Sequence, residues 1–163
     1  MRTLPDPGFA GDEGTADLAV TAALQEHGAA PDDPGLRHRA LAALQLARLL
    51  VPVVASSSGH VGEDHDKEAD MSAVLMQSRS GRTALLAFTG LPTLTAWNPE
   101  ARPVPLTAGD AAKGAIQNGA EALLVDVAGP VLFAVEGGDL TSLAAGHRLV
   151  ELARGRWGWV APA

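Results

Sequence analysis

Apolar residues fall into short runs whose spacing predicts helices near the N-terminus and strands further along. Positions repeating every three or four residues predict a first helix over residues 18–27 and a second over 36–48. Asp17 is placed to cap the first helix, and Gly28 to end it. Residues 1–16 hold several Pro and Gly without apolar spacing, so we expect a flexible N-terminal segment.

The rest of the chain alternates apolar runs with turn residues. The predicted strands are 49–55, 73–77, 83–88, 104–106, 122–126 and 131–135, and the predicted helices are 91–97, 109–118 and 140–145. Thr89, Thr107 and Asp139 are placed to cap these helices. Pro52 has no N–H, so its strand is expected at a sheet edge, or with Pro52 where no ladder bond is required.

This order of elements predicts an α+β fold in a single domain. We expect a mixed β-sheet of about six strands with helices packed on its faces. The domain should span residues 17–146, followed by a C-terminal tail over 147–163. A chain of 163 residues is long enough to bury a substantial core.

Charge and composition narrow the classes of function. The net charge of −7 argues against a nucleic-acid backbone or an anionic membrane as partner. The chain has no cysteine, which excludes disulfides, zinc–thiolate sites and thiol nucleophiles. No apolar run approaches the ~20 residues that cross a bilayer, and the N-terminus lacks a secretory signal. We therefore expect a cytoplasmic protein that needs no cofactor.

The segment between the first two strands has the most unusual chemistry. Residues 59–70 hold five carboxylates, two imidazoles and one ammonium group. The candidate ligands for a divalent metal ion are His60, Glu63, His65 and Asp66. Their spacing matches neither a zinc-protease motif nor a calcium loop, and a solvated connection is the ordinary interpretation. The candidates for contact with a partner in this segment are Lys67, Glu68 and Asp70.

Two further groups of apolar residues are candidates for contact with a partner. Leu91, Leu94 and Trp97 share the predicted short helix and could form a hydrophobic centre. Packing within the domain is the alternative for Trp97. Trp157 and Trp159 lie in an Arg-rich tail, which either docks on a partner or packs on its own domain.

Several short motifs, taken in order, resemble one family. They are L-L-V-P-V-V (49–54), D-K-E-A-D-M (66–71), A-F-T (87–89), A-W-N-P (96–99), R-P-V-P (102–105) and D-x-x-G-P (126–130). The chain is similar in these motifs to the SseB family of high-GC bacteria, in its actinobacterial type. The resemblance implies the fold and brings no catalytic residues with it. Asn98 stands where such proteins often have Asp.

The favoured hypothesis is a soluble, non-enzymatic module that binds another protein in an adaptor or regulatory role. Self-association into a homodimer is left open. The first alternative is a small-ligand or metal-binding protein that uses residues 60–70. The second alternative is an uncharacterised enzyme with a carboxylate and Lys67 in a cleft, which would require a perturbed pKa.

Overall fold

The computed structural model describes residues 9–55 and 71–163. The helices are α1 (Leu18–Ala29), α2 (Pro34–Leu44), α3 (Leu91–Trp97), α4 (Ala108–Gln117) and α5 (Gly137–Ala144). The strands are β1 (Arg48–Ala55), β2 (Met71–Ala73), β3 (Leu75–Gln77), β4 (Thr83–Ala87), β5 (Arg102–Thr107), β6 (Ala122–Val125), β7 (Phe133–Glu136), β8 (Arg148–Ala153) and β9 (Arg156–Val160). The predicted α+β fold is confirmed.

The strands form three sheets with the orders β2-β1-β5, β3-β4-β6-β7 and β8-β9. Strands β4 and β6 are parallel, and the other neighbours are antiparallel. A bridge between Leu50 and Phe88 joins the first two sheets through backbone N–H···O bonds of 2.7 and 2.8 Å. With β2 and β3 counted as one interrupted strand, these two sheets form a mixed arrangement of six strands.

Pro52 explains where that strand is interrupted. Strand β1 lies between β2 and β5, so of the two expected placements the edge strand is wrong, and Pro52 instead lies where no ladder bond is required of its nitrogen. The Pro52 carbonyl accepts a bond from the Val74 N–H at 3.3 Å, but Pro52 has no N–H to return. At Val74 the chain leaves β1, and the Val74 carbonyl instead accepts a bond from Leu86 on β4.

The main core lies between the four-stranded sheet and the helices packed on one of its faces. Residues such as Leu85, Leu123 and Val135 alternate toward this face and are at most 1% exposed. Helix α4 contributes small, fully buried side chains, including Ala111 and Ala115, which let it lie close to the sheet. Its cap is the predicted one, since the Thr107 hydroxyl accepts a bond from the Asp110 N–H.

The second helix ends at Leu44, short of the predicted residue 48, because the chain enters β1 at Arg48. Three predicted caps or stops are also wrong, each because of a tertiary contact or an earlier helix start. Helix α1 continues through Gly28, which packs against Val131; an added Cβ would lie 3.0 Å from Val131 Cγ2. Helix α5 begins at Gly137, so Asp139 lies in its first turn and does not cap it. Thr89 does not cap α3, because its hydroxyl donates to Asp126.

Candidate functional site: a groove on the outer face of the four-stranded sheet

The face of the four-stranded sheet opposite α4 and α5 carries a groove of about 320 Å³. A row of cross-strand partners, one from each of the four strands, runs across it. Met76 on β3 faces Ala84 on β4, Ala84 faces Ala122 on β6, and Ala122 faces Glu136 on β7. Because side chains alternate along a strand, all four project to the same face.

Small side chains at the centre of this row create the hollow. Ala84 and Ala122 are each 7% exposed, so their methyl groups form a low floor between longer neighbours. Met76 is 37% exposed and forms one apolar wall. Leu124, one position further along the same face of β6, extends the apolar floor.

A three-residue ion network forms the charged rim: Arg82 and Glu136 line the groove, and Glu121 is bonded to Arg82 outside the lining. Arg82 Nε donates to Glu121 Oε2 at 3.1 Å, and an Arg82 terminal nitrogen donates to Glu136 Oε2 at 2.9 Å. The hydrogen bond to Glu121, followed by that to Glu136, raises the pKa of Arg82 above its ordinary value. With one guanidinium and two carboxylates, this network carries a net negative charge beside the apolar floor, although only Arg82 and Glu136 line the groove itself.

The same face is closed at its other end by α3. Leu94 is 2% exposed and packs in a cluster with Leu50, Leu86 and Phe88. The Trp97 ring lies against the Phe88 ring with a centroid separation of 5.6 Å. At this end larger side chains fill the space above the sheet, whereas at the groove the alanines leave that space open.

A buried carboxylate holds the closed end in place. Asp126 follows β6 and is 3% exposed, with a positive φ of 55°. It accepts bonds from the Thr89 N–H at 2.9 Å, the Thr89 hydroxyl at 2.7 Å and the Thr93 hydroxyl at 2.8 Å. Because Thr89 follows β4 and Thr93 belongs to α3, this cluster ties the ends of two parallel strands to the helix.

The segment before α1 also packs on the closed end. Arg48 Nε lies 2.7 Å from Asp12 Oδ2, and Arg48 donates to the backbone carbonyls of Thr15 and Thr89. The Leu91 N–H donates to the Gly14 carbonyl at 2.8 Å. These contacts concern residues 9–16; the expected flexibility of residues 1–16 stays a prediction.

Comparison with known proteins identifies the family. A family model described as the SseB protein N-terminal domain matches residues 20–142. The chain belongs to the SseB family. No curated protein and no solved structure matches the chain. The matched span of the SseB domain includes the groove, its rim and the closed end, whereas the hairpin β8–β9 follows it.

The structure separates the residues that the sequence suggested for partner contact. Leu94 belongs to the core of the SseB domain and offers almost no surface, whereas Leu91 is 37% exposed and Trp97 is half-buried. Trp157 and Trp159 lie on the hairpin and do not line the groove. The predicted metal ligands His60, Glu63, His65 and Asp66, and the contact candidates Lys67, Glu68 and Asp70, lie outside the described residues.

The described residues contain neither a metal-binding cluster nor a membrane-spanning helix. Within residues 9–55 and 71–163, no group of three His, Asp or Glu side chains is arranged to hold a metal ion. None of the helices in those ranges combines the length and apolar character that a membrane span requires.

Sequence reasoning missed the groove of the SseB domain. Arg82 and Glu121 each stand directly before a strand, and Glu136 ends one, which is a recognisable signal. These positions meet only because β4, β6 and β7 are neighbours in the sheet, and this strand order cannot be read from the sequence. Ala84 and Ala122 gave no signal, because alanine is common throughout the chain.

Proposed function

We propose that this chain is a non-enzymatic protein-binding module, acting as an adaptor or regulator, that holds a segment of another protein in the groove. The observation that supports this most is the apolar row of Met76, Ala84 and Ala122 beneath a net-acidic rim. An exposed apolar surface bordered by polar residues is typical of a protein contact.

The polar groups of the groove favour a peptide segment over a small metabolite. Small-molecule sites converge several polar groups on a deeply buried ligand. Here Arg82 is engaged with Glu121 and Glu136 at the rim, and all three side chains are about half exposed. The apolar floor suits one or two aliphatic side chains of a bound segment.

The charge of the groove predicts the chemistry of that segment. Glu121 and Glu136 outweigh Arg82, and the whole chain carries −7. Such a surface favours a partner with Lys or Arg next to its apolar residues, mainly through faster association and rejection of acidic competitors. We expect an apolar segment with cationic flanks.

A pair of designed peptides tests this function. One carries an aliphatic core flanked by lysines, and its twin carries the same core flanked by glutamates. We expect the lysine peptide to bind the protein in fluorescence anisotropy and the glutamate peptide to bind at least about tenfold more weakly. Equal binding of the two peptides, or of neither, would contradict the proposal.

Substitutions that introduce no charged residue then locate the site. Ala122→Leu fills the floor of the groove and should abolish binding, whereas Ala96→Leu, at an exposed position on α3, should leave it unchanged. The double variant Glu121→Gln/Glu136→Gln should reduce the preference for lysine flanks. Glu26→Gln/Glu100→Gln makes the same charge change at exposed sites away from the groove and serves as its control.

A further inference from the structure

The C-terminal hairpin β8–β9 is anchored to the domain through one of its faces. The Gln45 amide donates to the Leu149 carbonyl and accepts from the Leu149 N–H, both at 2.8 Å. The Trp159 indole N–H donates to Asp139 at 3.0 Å, and the Trp157 ring stacks on His38 with centroids 5.8 Å apart. The indole rings are therefore engaged in holding the hairpin on α2 and α5.

The contacts of Gln45 show which backbone groups of β9 face away from β8. Leu149 directs its N–H and carbonyl to Gln45, so its cross-strand pair with Trp159 is the non-hydrogen-bonded kind. Glu151 and Trp157 pair two positions further on and have the same type of pairing. The backbone N–H and carbonyl groups of Trp157 and Trp159 therefore point to the outer edge of β9.

This outer edge is open within the part of the chain that the structure describes. No hydrogen bond from residues 9–55 or 71–163 reaches the backbone N–H or carbonyl of Trp157 or Trp159. An open edge strand is a ready template for another strand. On the outer face of the hairpin, Leu152 of β8 is 64% exposed and lies over Gly158 of β9, and Val160 is 47% exposed, so this face offers apolar side chains.

The hairpin has the opposite charge to the rest of the protein. Residues 148–160 contain Arg148, Arg154 and Arg156 against Glu151 alone, a local charge of +2 in a chain of −7. Glu151 is also occupied, since its carboxylate accepts the Gly155 N–H at 3.0 Å within the hairpin turn. The open edge therefore lies in a basic environment.

We propose that β9 binds an extended, acidic segment of a partner protein, which adds to the hairpin as a third strand. The backbone groups of Trp157 and Trp159 supply the ladder bonds, and Leu152 and Val160 contact alternate apolar side chains. The arginines pair with the acidic residues of the segment. This edge is a second binding site, separate from the groove and of opposite charge.

Two other occupants fit the surface less well. A second copy of this chain would place one basic hairpin against another. A single-stranded nucleic acid would need aromatic rings on which its bases could stack, and the rings of Trp157 and Trp159 are engaged with His38 and Asp139.

The first test uses a synthetic peptide of alternating Val and Glu, its Val–Lys counterpart, and a Val–Glu peptide N-methylated along one edge. We expect the unmodified Val–Glu peptide to bind, and the other two to bind at least about tenfold more weakly. Backbone amide NMR should show new protection from hydrogen exchange at Trp157 and Trp159, and little change at Gly158, which faces β8. Retained binding of the N-methylated peptide, or protection elsewhere, would overturn the proposal.

Charge reversal supplies a matched control. Arg154→Glu/Arg156→Glu should abolish binding of the Val–Glu peptide, whereas Arg102→Glu/Lys113→Glu makes the same charge change at exposed positions away from both sites and should not. Binding of the lysine-flanked groove peptide should survive both changes, so failure at one site is distinguishable from failure at the other. A concentration-dependent dimer lost in the Arg154/Arg156 variant, or an oligonucleotide bound in preference to the Val–Glu peptide, would overturn the assignment to an acidic segment.

Discussion

The two ends of the outer face of the four-stranded sheet are built from the same strands, but one end is covered and the other is an open groove. At one end Leu86 and Phe88 are fully buried beneath α3, which contributes the buried Leu94. At the other, Ala84 and Ala122 lie at the bottom of a groove. The difference is the size of the side chains and the presence of a covering helix.

This comparison shows how a sheet face can serve both stability and binding. The closed end is tied down by the buried carboxylate of Asp126 and covered by the segment around Gly14. The open end has an ion network at its rim, and exposed ion pairs contribute little to stability. We therefore expect substitutions at the closed end to change the free energy of unfolding, and those at the open end to change binding.

The largest expected effect comes from truncating the closed end. Leu94→Ala removes a side chain that is 2% exposed and should cost about 3 kcal/mol of the free energy of unfolding. Leu91→Ala, on the same helix at 37% exposure, should cost well under half as much. Urea denaturation of both variants measures the difference, and equal losses would show that α3 does not close this end.

Removing the carboxylate of Asp126 should have the next largest effect. Asp126→Ala leaves the Thr89 N–H and the hydroxyls of Thr89 and Thr93 without their acceptor, at a cost of about 2–3 kcal/mol. Asp126→Asn keeps one oxygen and tolerates the positive φ, so its loss should be smaller. Thermal unfolding of both variants tests this order, and a tie between them would mean that the negative charge, which both variants remove, sets the loss.

A smaller effect is expected where the N-terminal segment covers α3. At Gly90 an added Cβ would lie 2.9 Å from the backbone atoms Ala16 N and Gly14 O, so Gly90→Ala should cost about 1–2 kcal/mol. At Gly138, in α5, a Cβ would meet nothing within 4 Å, and Gly138→Ala should be neutral or slightly stabilising. If Gly90→Ala is also neutral in chemical denaturation, the segment is not held against the helix.

The smallest expected change in stability is at the groove itself. Ala122→Leu extends into open space and should change the free energy of unfolding by less than about 1 kcal/mol, while it abolishes binding of the lysine-flanked peptide. The same substitution at Ala112, fully buried in α4, should cost about 1–3 kcal/mol through overpacking. A large stability loss with Ala122→Leu would mean that the groove is part of the core.

Most elements of the fold could be predicted from the sequence, because their signals are local. Helix α3 has the predicted bounds, and Thr107 caps α4 as expected. The errors occur where a distant contact decides. Thr89 has the residue type of a cap, yet its hydroxyl donates to Asp126, 37 residues away. The tail, predicted as an extension, forms a hairpin whose strand β8 is held by Gln45, 104 residues away.

The candidate site was much harder to predict than the fold. The sequence drew attention to charged, aromatic and exposed-looking apolar residues, and Leu94 and Trp97 of that set belong to the closed end. The groove depends instead on two alanines and a methionine, which have no distinctive chemistry. Their importance comes only from their position in one row across four strands.

Local periodicity and composition were therefore enough for the helices, most strands, the acidic charge and the absence of thiol chemistry, and the short motifs were enough for the family resemblance. Strand order and register were decided by the tertiary structure. They bring Arg82 to Glu121 and Glu136, which are 39 and 54 residues away in the chain. The physical reason is that spacing along one strand sets which face a side chain occupies, whereas its neighbours across the sheet depend on how the whole core packs.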